Sequence, residues 1–431
     1  MRDEEFRLLV QQIMRRSFHE SEGTRLLIDG EKTFRAILDT IDQAREEVLL
    51  ETYILRDDRL GKSVHQSLAG AVRRGVRVCV LVDAVGSMGT GNAFWQALEA
   101  DHITLRHFHR LRYSPFQALR RDHRKIMVID REVAFTGGMN IGEEYGSSIR
   151  RRVDAWRDTF IQVQGPVARE LAAVFAEGWD RAKGPPLPGL EFITWSDSND
   201  PPPPRLTTAA AWSTSALRAR VERRMATRRD RRRGRRVRRL EDAAALDSPS
   251  MAVVLDSRPG RGQREVLAVL ASLVGGARER IWITTPYFAP PTRALELLKA
   301  AARKGIDVRL LVPSERTDVP IVRHAAHGAY RTLMDSGVRI FEYQAATLHS
   351  KTVVIDGHAG IVGSTNLDFR SFWLNAECNV LLFDDEFGGE LEDTFSVDCV
   401  NSTEITTAAW SARTWWHRLG DWCARQLRWA L

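Results

Sequence analysis

The chain has 431 residues, 43% of them hydrophobic, and a formal net charge of +7. This length and composition exclude a disordered chain and are sufficient for two domains with buried cores. The positive charge is local, because thirteen arginines between 218 and 239, against Glu222 and Asp230, contribute +11 and leave −4 for all other residues. The folded part is therefore not predicted to form a basic nucleic-acid-binding groove.

The cysteines and the hydropathy of the sequence indicate where in the cell the protein is expected to act. The four cysteines are scattered without metal-ligand spacing, which is typical of free thiols in a reducing compartment. They are Cys79, Cys378, Cys399 and Cys423. The N-terminal stretch lacks the apolar core and cleavage site of a signal peptide, and no run approaches eighteen consecutive apolar residues. Any membrane role is expected to be peripheral.

In chain order, residues 1–23 are predicted to contain an amphipathic helix. Its apolar residues recur on one helical face. They are Phe6, Leu9, Val10, Ile13 and Met14. We expect this face to pack on the first domain, with membrane contact as the alternative.

Residues 24–183 and 250–400 are predicted to form two domains, because each follows the order strand, helix, strand, helix, strand. Gly75 and Gly305 stand at equivalent helix ends. Strands that alternate with helices predict a mostly parallel sheet covered by helices. Tyr53, Tyr287 and Phe288 follow strands and are expected near the interface of the two domains, with core packing as an equal alternative.

Residues 184–249 are predicted to be a linker, since they contain two proline-rich stretches and the arginine-rich run. Such a run is ordinarily solvated. We interpret it as attachment to an anionic membrane surface and favour contact with nucleic acid less. In residues 401–431, tryptophans recur at 415, 422 and 429 beside arginines, which is typical of an interfacial helix. Docking on the protein's own surface is the alternative.

A polar pattern occurs once in each predicted domain. It has H-x-K-x4-D spacing, and an asparagine follows the histidine by 17 residues. The members are His123, Lys125, Asp130 and Asn140 in the first copy and His349, Lys351, Asp356 and Asn366 in the second. One copy alone could consist of caps and surface charges. Two copies in register indicate a functional site.

The residue types fit chemistry at a phosphate. The apolar run after each lysine predicts a buried strand, so the histidine and lysine side chains lie on one face of it. An ammonium, an imidazole and an amide suit an anionic phosphate. Two imidazoles provide a nucleophile and a general acid–base. Asp158 in the first copy and Glu377 in the second are the candidate acids that orient the histidines.

The duplicated motif resembles that of the phospholipase D superfamily. The resemblance implies a metal-free and cofactor-free route through a phosphohistidine, with His123 and His349 as the catalytic pair. It implies phosphate binding by the two motif lysines, the two asparagines and Ser364. Asp130 and Asp356 belong to the catalytic motif and are expected to orient local structure. The first copy departs from the second, since Gly138 replaces Ser364 and Asp158 follows its histidine by 35 residues rather than 28.

Within that superfamily, residues 20–400 resemble bacterial cardiolipin synthases that lack N-terminal transmembrane helices. The stretches that carry this resemblance are TGGMNIGEEY, AWRDTFIQVQGP, TTPYF and HSKTVVIDG with GSTNLDFRSFWLNAE. The resemblance implies an α/β fold of two tandem pseudo-symmetric phospholipase D-like sandwich domains with the active site at their interface.

The implied activity is phosphatidyl transfer to phosphatidylglycerol, with phosphatidylethanolamine as a further candidate donor, at the cytoplasmic face of the bacterial inner membrane. By family precedent, His123 is the nucleophile and His349 the acid–base. A phospholipid hydrolase is the main alternative, ahead of a nuclease and a non-catalytic scaffold. No nucleic-acid partner is expected, and the oligomeric state is left open.

Overall fold

The computed structural model describes residues 4–21, 23–28, 30–108, 119–146, 155–190, 250–259 and 263–413. The arginine-rich run, most of the predicted linker and the tryptophans at 415, 422 and 429 lie outside the described residues. The predictions made for those segments stay predictions.

The first half of the chain forms one mixed sheet with helices on its faces. Its elements, with the N-terminal arm, are α1 (Glu4–Met14), β1 (His19–Glu20), β2 (Arg25–Leu27), α2 (Gly30–Asp42), β3 (Glu47–Thr52), α3 (Arg59–Arg73), β4 (Arg77–Asp83), α4 (Asn92–Ala100), β5 (Thr104–Phe108), β6 (Ile126–Ile129), β7 (Val133–Gly137), α5 (Glu143–Gly146), β8 (Trp156–Arg157), β9 (Phe160–Gln164) and α6 (Pro166–Arg181). The strand order in this sheet is β2-β9-β7-β6-β3-β4-β5.

The second half repeats this plan. Its elements are β10 (Met251–Ser257), α7 (Gln263–Gly276), β11 (Arg280–Thr284), α8 (Thr292–Arg303), β12 (Asp307–Pro313), α9 (Pro320–Met334), β13 (Arg339–Tyr343), β14 (Thr347–Leu348), β15 (Thr352–Ile355), β16 (Ala359–Gly363), α10 (Phe369–Trp373), β17 (Glu377–Phe383), α11 (Asp385–Val400), β18 (Ser402–Glu404) and α12 (Thr407–Ser411). The strand order is β1-β10-β17-β16-β15-β11-β12-β13-β18.

The prediction of two related α/β units is confirmed. In each, three parallel strands (β3-β4-β5 and β11-β12-β13) lie beside the motif hairpin (β6-β7 and β15-β16). Gly75 and Gly305, with φ of 87° and 85°, follow α3 and α8 at equivalent places. This left-handed conformation favours glycine.

The prediction of mostly parallel sheets is wrong. Each motif strand turns back as a hairpin, and a short connection joins only antiparallel neighbours. The hairpins insert next to β3 and β11, and β9 and β17 also run antiparallel to them. Parallel pairing is thus confined to one side of each sheet.

One buried apolar cluster joins the two halves. It contains residues of α6, such as Leu171 and Phe175, and of α11, such as Leu391 and Phe395, with residues from both sheets. Further clusters lie under the outer helices of each half. Because burial of a large apolar side chain contributes about 1.5–3 kcal/mol, this shared core fixes the halves against each other.

The N-terminal helix corrects one expectation, since α1 packs on the second half rather than the first. Val10 and Met14 belong to the apolar cluster of the second half, and the Phe6 ring lies edge-on to Phe383 at 5.8 Å. The cause lies just after the helix, where β1 pairs antiparallel with β10. The arm therefore crosses to the other half before β2 begins the first sheet.

The described part of the C-terminal segment docks on the protein itself. Trp410 of α12 is buried against His327 and Tyr330 of α9, with ring centroids 5.0 and 4.9 Å away. The position of Trp410 agrees with the alternative prediction for this segment, which was docking on the protein's own surface. Within the described residues, no helix is both long enough and apolar enough to cross a bilayer.

Candidate active site

The two motif histidines each contact an acid from the other half. Nδ1 of His123 lies 3.0 Å from Oε2 of Glu377, and Nδ1 of His349 lies 2.7 Å from Oδ2 of Asp158. We expected each acid to serve the histidine of its own copy. The structure corrects that pairing, because the contacts cross the interface in both directions.

Backbone pairing explains the exchange. The His349 amide donates to the Arg157 carbonyl at 2.8 Å, where β14 pairs with β8 of the first half. The His123 amide donates to the Ala376 carbonyl at 2.9 Å. Asp158 directly follows Arg157, and Glu377 directly follows Ala376. Each motif therefore enters the site hydrogen-bonded to the residue that precedes the other half's acid.

Glu377 is held by a set of donors within its own half. Ser364 donates to Oε2 at 2.5 Å and Ser371 to Oε1 at 2.8 Å. Although burial acts to raise the pKa of the Glu377 carboxyl, His123, Lys125 and the Ser364 hydroxyl lower it below its ordinary value. Because the Ser364 hydrogen points to Glu377, Ser364 positions this acid rather than facing the phosphate site as predicted.

Gly138 accounts for the departure of the first copy. A side chain at this position would bring its Cβ to 2.1 Å from Oδ1 of Asp158. The Asp158 carboxylate thus fills the space that a serine side chain would need. Burial raises the pKa of Asp158 to about 6. That value still leaves the carboxylate mostly ionised at pH 7.

Both motif lysines are buried beside their histidines. Nζ of Lys125 donates to the His123 carbonyl at 2.7 Å. Nζ of Lys351 bonds the His349 carbonyl and lies 2.9 Å from Nδ1 of His349. Burial lowers the pKa of Lys125 to about 7 and that of Lys351 to about 8. No described carboxylate forms a salt bridge with either lysine, so both amines are available to an anionic group.

Burial favours the neutral form of both motif histidines. Burial lowers the pKa of His123 below its ordinary value, although Glu377 opposes this. Burial lowers the pKa of His349 further, and Lys351 adds to that effect. Since each Nδ1 faces a carboxylate, Nε2 is the nitrogen that remains for chemistry, and no described residue hydrogen-bonds to it in either ring.

The two motif asparagines have different surroundings. Asn140 donates to the Tyr145 hydroxyl at 2.9 Å and accepts from the Ile54 amide at 3.3 Å. Asn366 is buried, and its Oδ1 has no hydrogen-bond partner among the described residues. Asn140 is therefore fixed within its half, whereas Asn366 keeps polar capacity inside the site.

The motif aspartates lie at the far end of the motif strands from the histidines. Asp130 accepts from the amides of Arg45, Glu46 and Glu47 at 2.9, 2.8 and 2.9 Å. Asp356 accepts in the same way from the amides of residues 278–280. Both aspartates thus hold the start of the neighbouring strand, which is the orienting role predicted for them.

Replacing Asp130 with Ala is expected to lower the free energy of unfolding by about 2–4 kcal/mol, because three backbone amides lose a charged acceptor. The specific activity of the folded fraction should stay within about threefold of the wild type. Urea unfolding and active-site titration measure the two effects. Asp130→Asn, which tolerates φ of 51°, is the milder control. An Ala variant that is stable but inactive would contradict the orienting role.

Aromatic side chains line the histidines. Tyr53 lies 5.1 Å from the His123 ring and Tyr287 lies 6.2 Å from the His349 ring, while Phe288 belongs to the apolar core. We did not predict Tyr145 and Trp156, which lie 5.4 and 5.2 Å from the His349 ring. The position of Trp156 in the sequence could have indicated that it lies near the site, since it stands two residues before the candidate acid Asp158.

Comparison with known proteins decides the family. The family described as "Cardiolipin synthase, PLD-like domain" matches residues 37–179 and 270–399. The chain belongs to that family. Cardiolipin synthase A of Pseudomonas putida (strain GB-1) is 33% identical over 384 residues, which cover 89% of this chain and 69% of that protein. Cardiolipin synthase of Geobacillus thermodenitrificans (strain NG80-2) is 31% identical over 406 residues, or 94% of this chain and 71% of that protein.

A solved structure supports the fold. Phosphatidylserine synthase of Haemophilus influenzae Rd KW20 aligns with a TM-score of 0.66 and 15% identity over 99% of this chain and 100% of that chain. The family match confirms the predicted superfamily, and together with this structural similarity it confirms the predicted fold class. Membership of the cardiolipin synthase family also confirms the predicted enzyme class, a phosphatidyltransferase. In the ranges that the structure describes, no group of three or more acidic, histidine or cysteine side chains is arranged to hold a metal ion.

Proposed function

We propose that this enzyme transfers a phosphatidyl group from one phospholipid to a glycerol hydroxyl of phosphatidylglycerol through a phosphohistidine. The observation that carries the proposal is the pair of buried histidines, each with Nδ1 against an acid of the other half. Each contact leaves Nε2 available, and two buried lysines supply positive charge for one phosphate.

In the first step, Nε2 of His123 attacks phosphorus and the bond to the headgroup oxygen breaks. His349 gives its Nε2 proton to that oxygen, and the negative phosphate favours the protonated form of His349 beforehand. We assign the nucleophile to His123 because the pKa of its partner Glu377 is lowered. The pKa of Asp158, the partner of His349, is instead raised to about 6, so Glu377 is the more fully ionised of the two acids. An ionised partner stabilises the positive charge that the attacking imidazole acquires.

In the second step, a hydroxyl of phosphatidylglycerol attacks the phosphohistidine. A new P–O bond forms, the P–N bond to His123 breaks, and the hydroxyl proton passes to Nε2 of His349. Water in place of the alcohol would give phosphatidic acid, so the ratio of transfer to hydrolysis depends on how the site holds the alcohol and excludes water.

The profile of kcat/KM against pH is expected to be bell-shaped, because kcat/KM reports groups of the free enzyme. The lysines are cationic below their folded pKa values, so phosphate binding should weaken as pH rises through about 7 and about 8. His123 must be neutral, and its lowered pKa places the acidic limb below its ordinary value. Initial rates on a soluble short-chain phospholipid measure this. A rate that keeps rising from pH 7 to 9 would contradict the lysine role.

Product analysis tests the proposed activity. Purified protein would be incubated with phosphatidylglycerol vesicles, with and without phosphatidylethanolamine, and the lipids identified by mass spectrometry. Cardiolipin with released glycerol or ethanolamine is expected, and the released alcohol names the donor. Phosphatidic acid as the sole product would make the protein a hydrolase, and absence of lipid turnover would overturn the proposal.

We also infer peripheral attachment at the cytoplasmic face of a bacterial membrane, where these lipid substrates lie. Exposed apolar side chains on segments next to the site support it. They are Met88, Leu119, Ile321 and Trp373, which are 69%, 50%, 38% and 37% exposed. Leu119 precedes the first motif, and its backbone carbonyl accepts a hydrogen bond from Arg370. Arg370 belongs to α10, the helix that also contains Trp373. Apolar side chains beside arginine are the composition of a surface that contacts lipid headgroups.

Replacing Met88 and Trp373 together with Ser is expected to weaken binding to phosphatidylglycerol vesicles by about tenfold or more, since two apolar side chains no longer enter the interface. Vesicle flotation measures the bound fraction. The matched control replaces Val397 and Val400, which lie at the C-terminal end of α11 and are 61% and 86% exposed. Equal losses in both double variants would contradict a membrane surface next to the site.

A further inference from the structure

The surroundings of the two catalytic histidines differ. The His123 ring contacts Tyr53, whereas the His349 ring is surrounded by Tyr145, Trp156 and Tyr287 with centroids 5.4, 5.2 and 6.2 Å away. The two half-sites therefore share their reacting groups but not the walls beside them.

A carboxylate stands at the edge of this aromatic wall. Asp318, in the loop between β12 and α9, is exposed, and its Oδ2 accepts the hydrogen of the Tyr287 hydroxyl. Among the described residues, none forms a hydrogen bond with its Oδ1. The negative charge of Asp318 acts electrostatically on the second motif, where it tends to raise the pKa values of both His349 and Lys351.

The geometry of the proposed reaction places the alcohol on the same side of the site as Asp318. Displacement at phosphorus is in line, so with His123 as nucleophile the headgroup alcohol leaves on the side of His349. The acceptor alcohol enters by the same side, because the second step reverses the geometry of the first. Groups around His349 therefore meet the atoms of the alcohol beyond its reacting oxygen.

We propose that Asp318, fixed by Tyr287, accepts a hydrogen bond from a second hydroxyl of a glycerol headgroup and so selects this alcohol over water. The proposal rests on the proposed phosphatidyl transfer. In the selected step, the held glycerol forms the P–O bond, the P–N bond to His123 breaks and the alcohol proton passes to His349. The aromatic rings provide the apolar surface for the carbon atoms of the glycerol.

The test measures how the phosphoenzyme partitions. A phosphatidyl-p-nitrophenol donor in neutral vesicles reports phosphoenzyme formation by p-nitrophenol release. Added glycerol, 1-propanol or ethanolamine then competes with water, and mass spectrometry gives the ratio of transfer product to phosphatidic acid. This ratio does not depend on the amount of active enzyme. Asp318→Asn and Tyr287→Phe are compared with the wild type and with Glu315→Gln, an exposed acid of the same loop.

Asp318→Asn is expected to lower the glycerol-to-water ratio by about tenfold, the loss expected for one charge-assisted hydrogen bond, and to leave the 1-propanol ratio unchanged. Tyr287→Phe should change the ratios in the same direction, and Glu315→Gln should match the wild type. An unchanged glycerol ratio, an equal fall for 1-propanol, or a loss restricted to ethanolamine would overturn the assignment of glycerol. A wild type that releases no p-nitrophenol would overturn the proposed function and this inference with it.

Discussion

Replacing His123 or His349 with Ala is expected to lower the rate of lipid turnover by at least about 10⁴-fold, the size of loss seen when a nucleophile or its acid–base partner is removed. Both side chains are buried, and each Nδ1 contact to an acid leaves Nε2 as the reacting atom. Cardiolipin and phosphatidic acid, quantified by mass spectrometry, measure the loss.

The two variants should differ with phosphatidyl-p-nitrophenol, whose leaving group needs no proton. His349→Ala is expected to release one p-nitrophenol per active site and then stall, because the phosphoenzyme forms but no base activates the second alcohol. His123→Ala should give no release. His358→Gln, which alters a histidine paired with Asp385 outside the site, is the control. Turnover above about 1% in either Ala variant would contradict the two-histidine mechanism.

Glu377→Gln is expected to lower turnover by about 10³–10⁴-fold, because the amide removes the charge that holds the His123 tautomer. Since Glu377 contacts His123 across the interface, phosphoenzyme formation should be the step that fails. Asp158→Asn should instead impair His349 and leave the burst of p-nitrophenol intact. Stopped-flow absorbance of p-nitrophenol distinguishes the two patterns.

The crossed contacts make this experiment decisive. If each acid served the histidine of its own half, Asp158→Asn would lose the burst and Glu377→Gln would keep it. Glu392→Gln, which alters a partly buried carboxylate paired with Arg280 at 3.0 Å outside the site, controls for the loss of an ion-paired carboxylate. Thermal unfolding of each variant ensures that the rates refer to folded enzyme.

The sequence was sufficient for what depends on local pattern. The apolar run after Lys125 is strand β6, as predicted, although His123 and Lys125 themselves precede this strand rather than lying on one of its faces. The same holds for His349, Lys351 and β15. The order of the helices and strands was also predictable from glycines at helix ends and from the alternation of the two patterns. These signals depend only on residues that are close together in the sequence.

What depends on tertiary pairing was not predictable. Asp158 and Glu377 stand at similar distances from their own histidines in the sequence, which suggested pairing within each half. The exchange arises from the contact of β14 with β8 across the interface, and no periodicity encodes such a contact. The apolar face of α1 likewise predicted a packed helix but did not identify the half on which it packs. Asp318 is not part of the duplicated motif, so only its hydrogen bond with Tyr287 in the structure identified it as a residue near the site.

Location of the covalent adduct tests the central claim most directly. The enzyme would be mixed with phosphatidyl-p-nitrophenol, quenched in denaturant at alkaline pH to preserve phosphohistidine, and digested for peptide mapping by mass spectrometry. The account predicts a phosphatidyl group on His123, which should accumulate in the His349→Ala variant. An adduct on His349 instead, or no adduct in an enzyme that is turning over lipid, would contradict it.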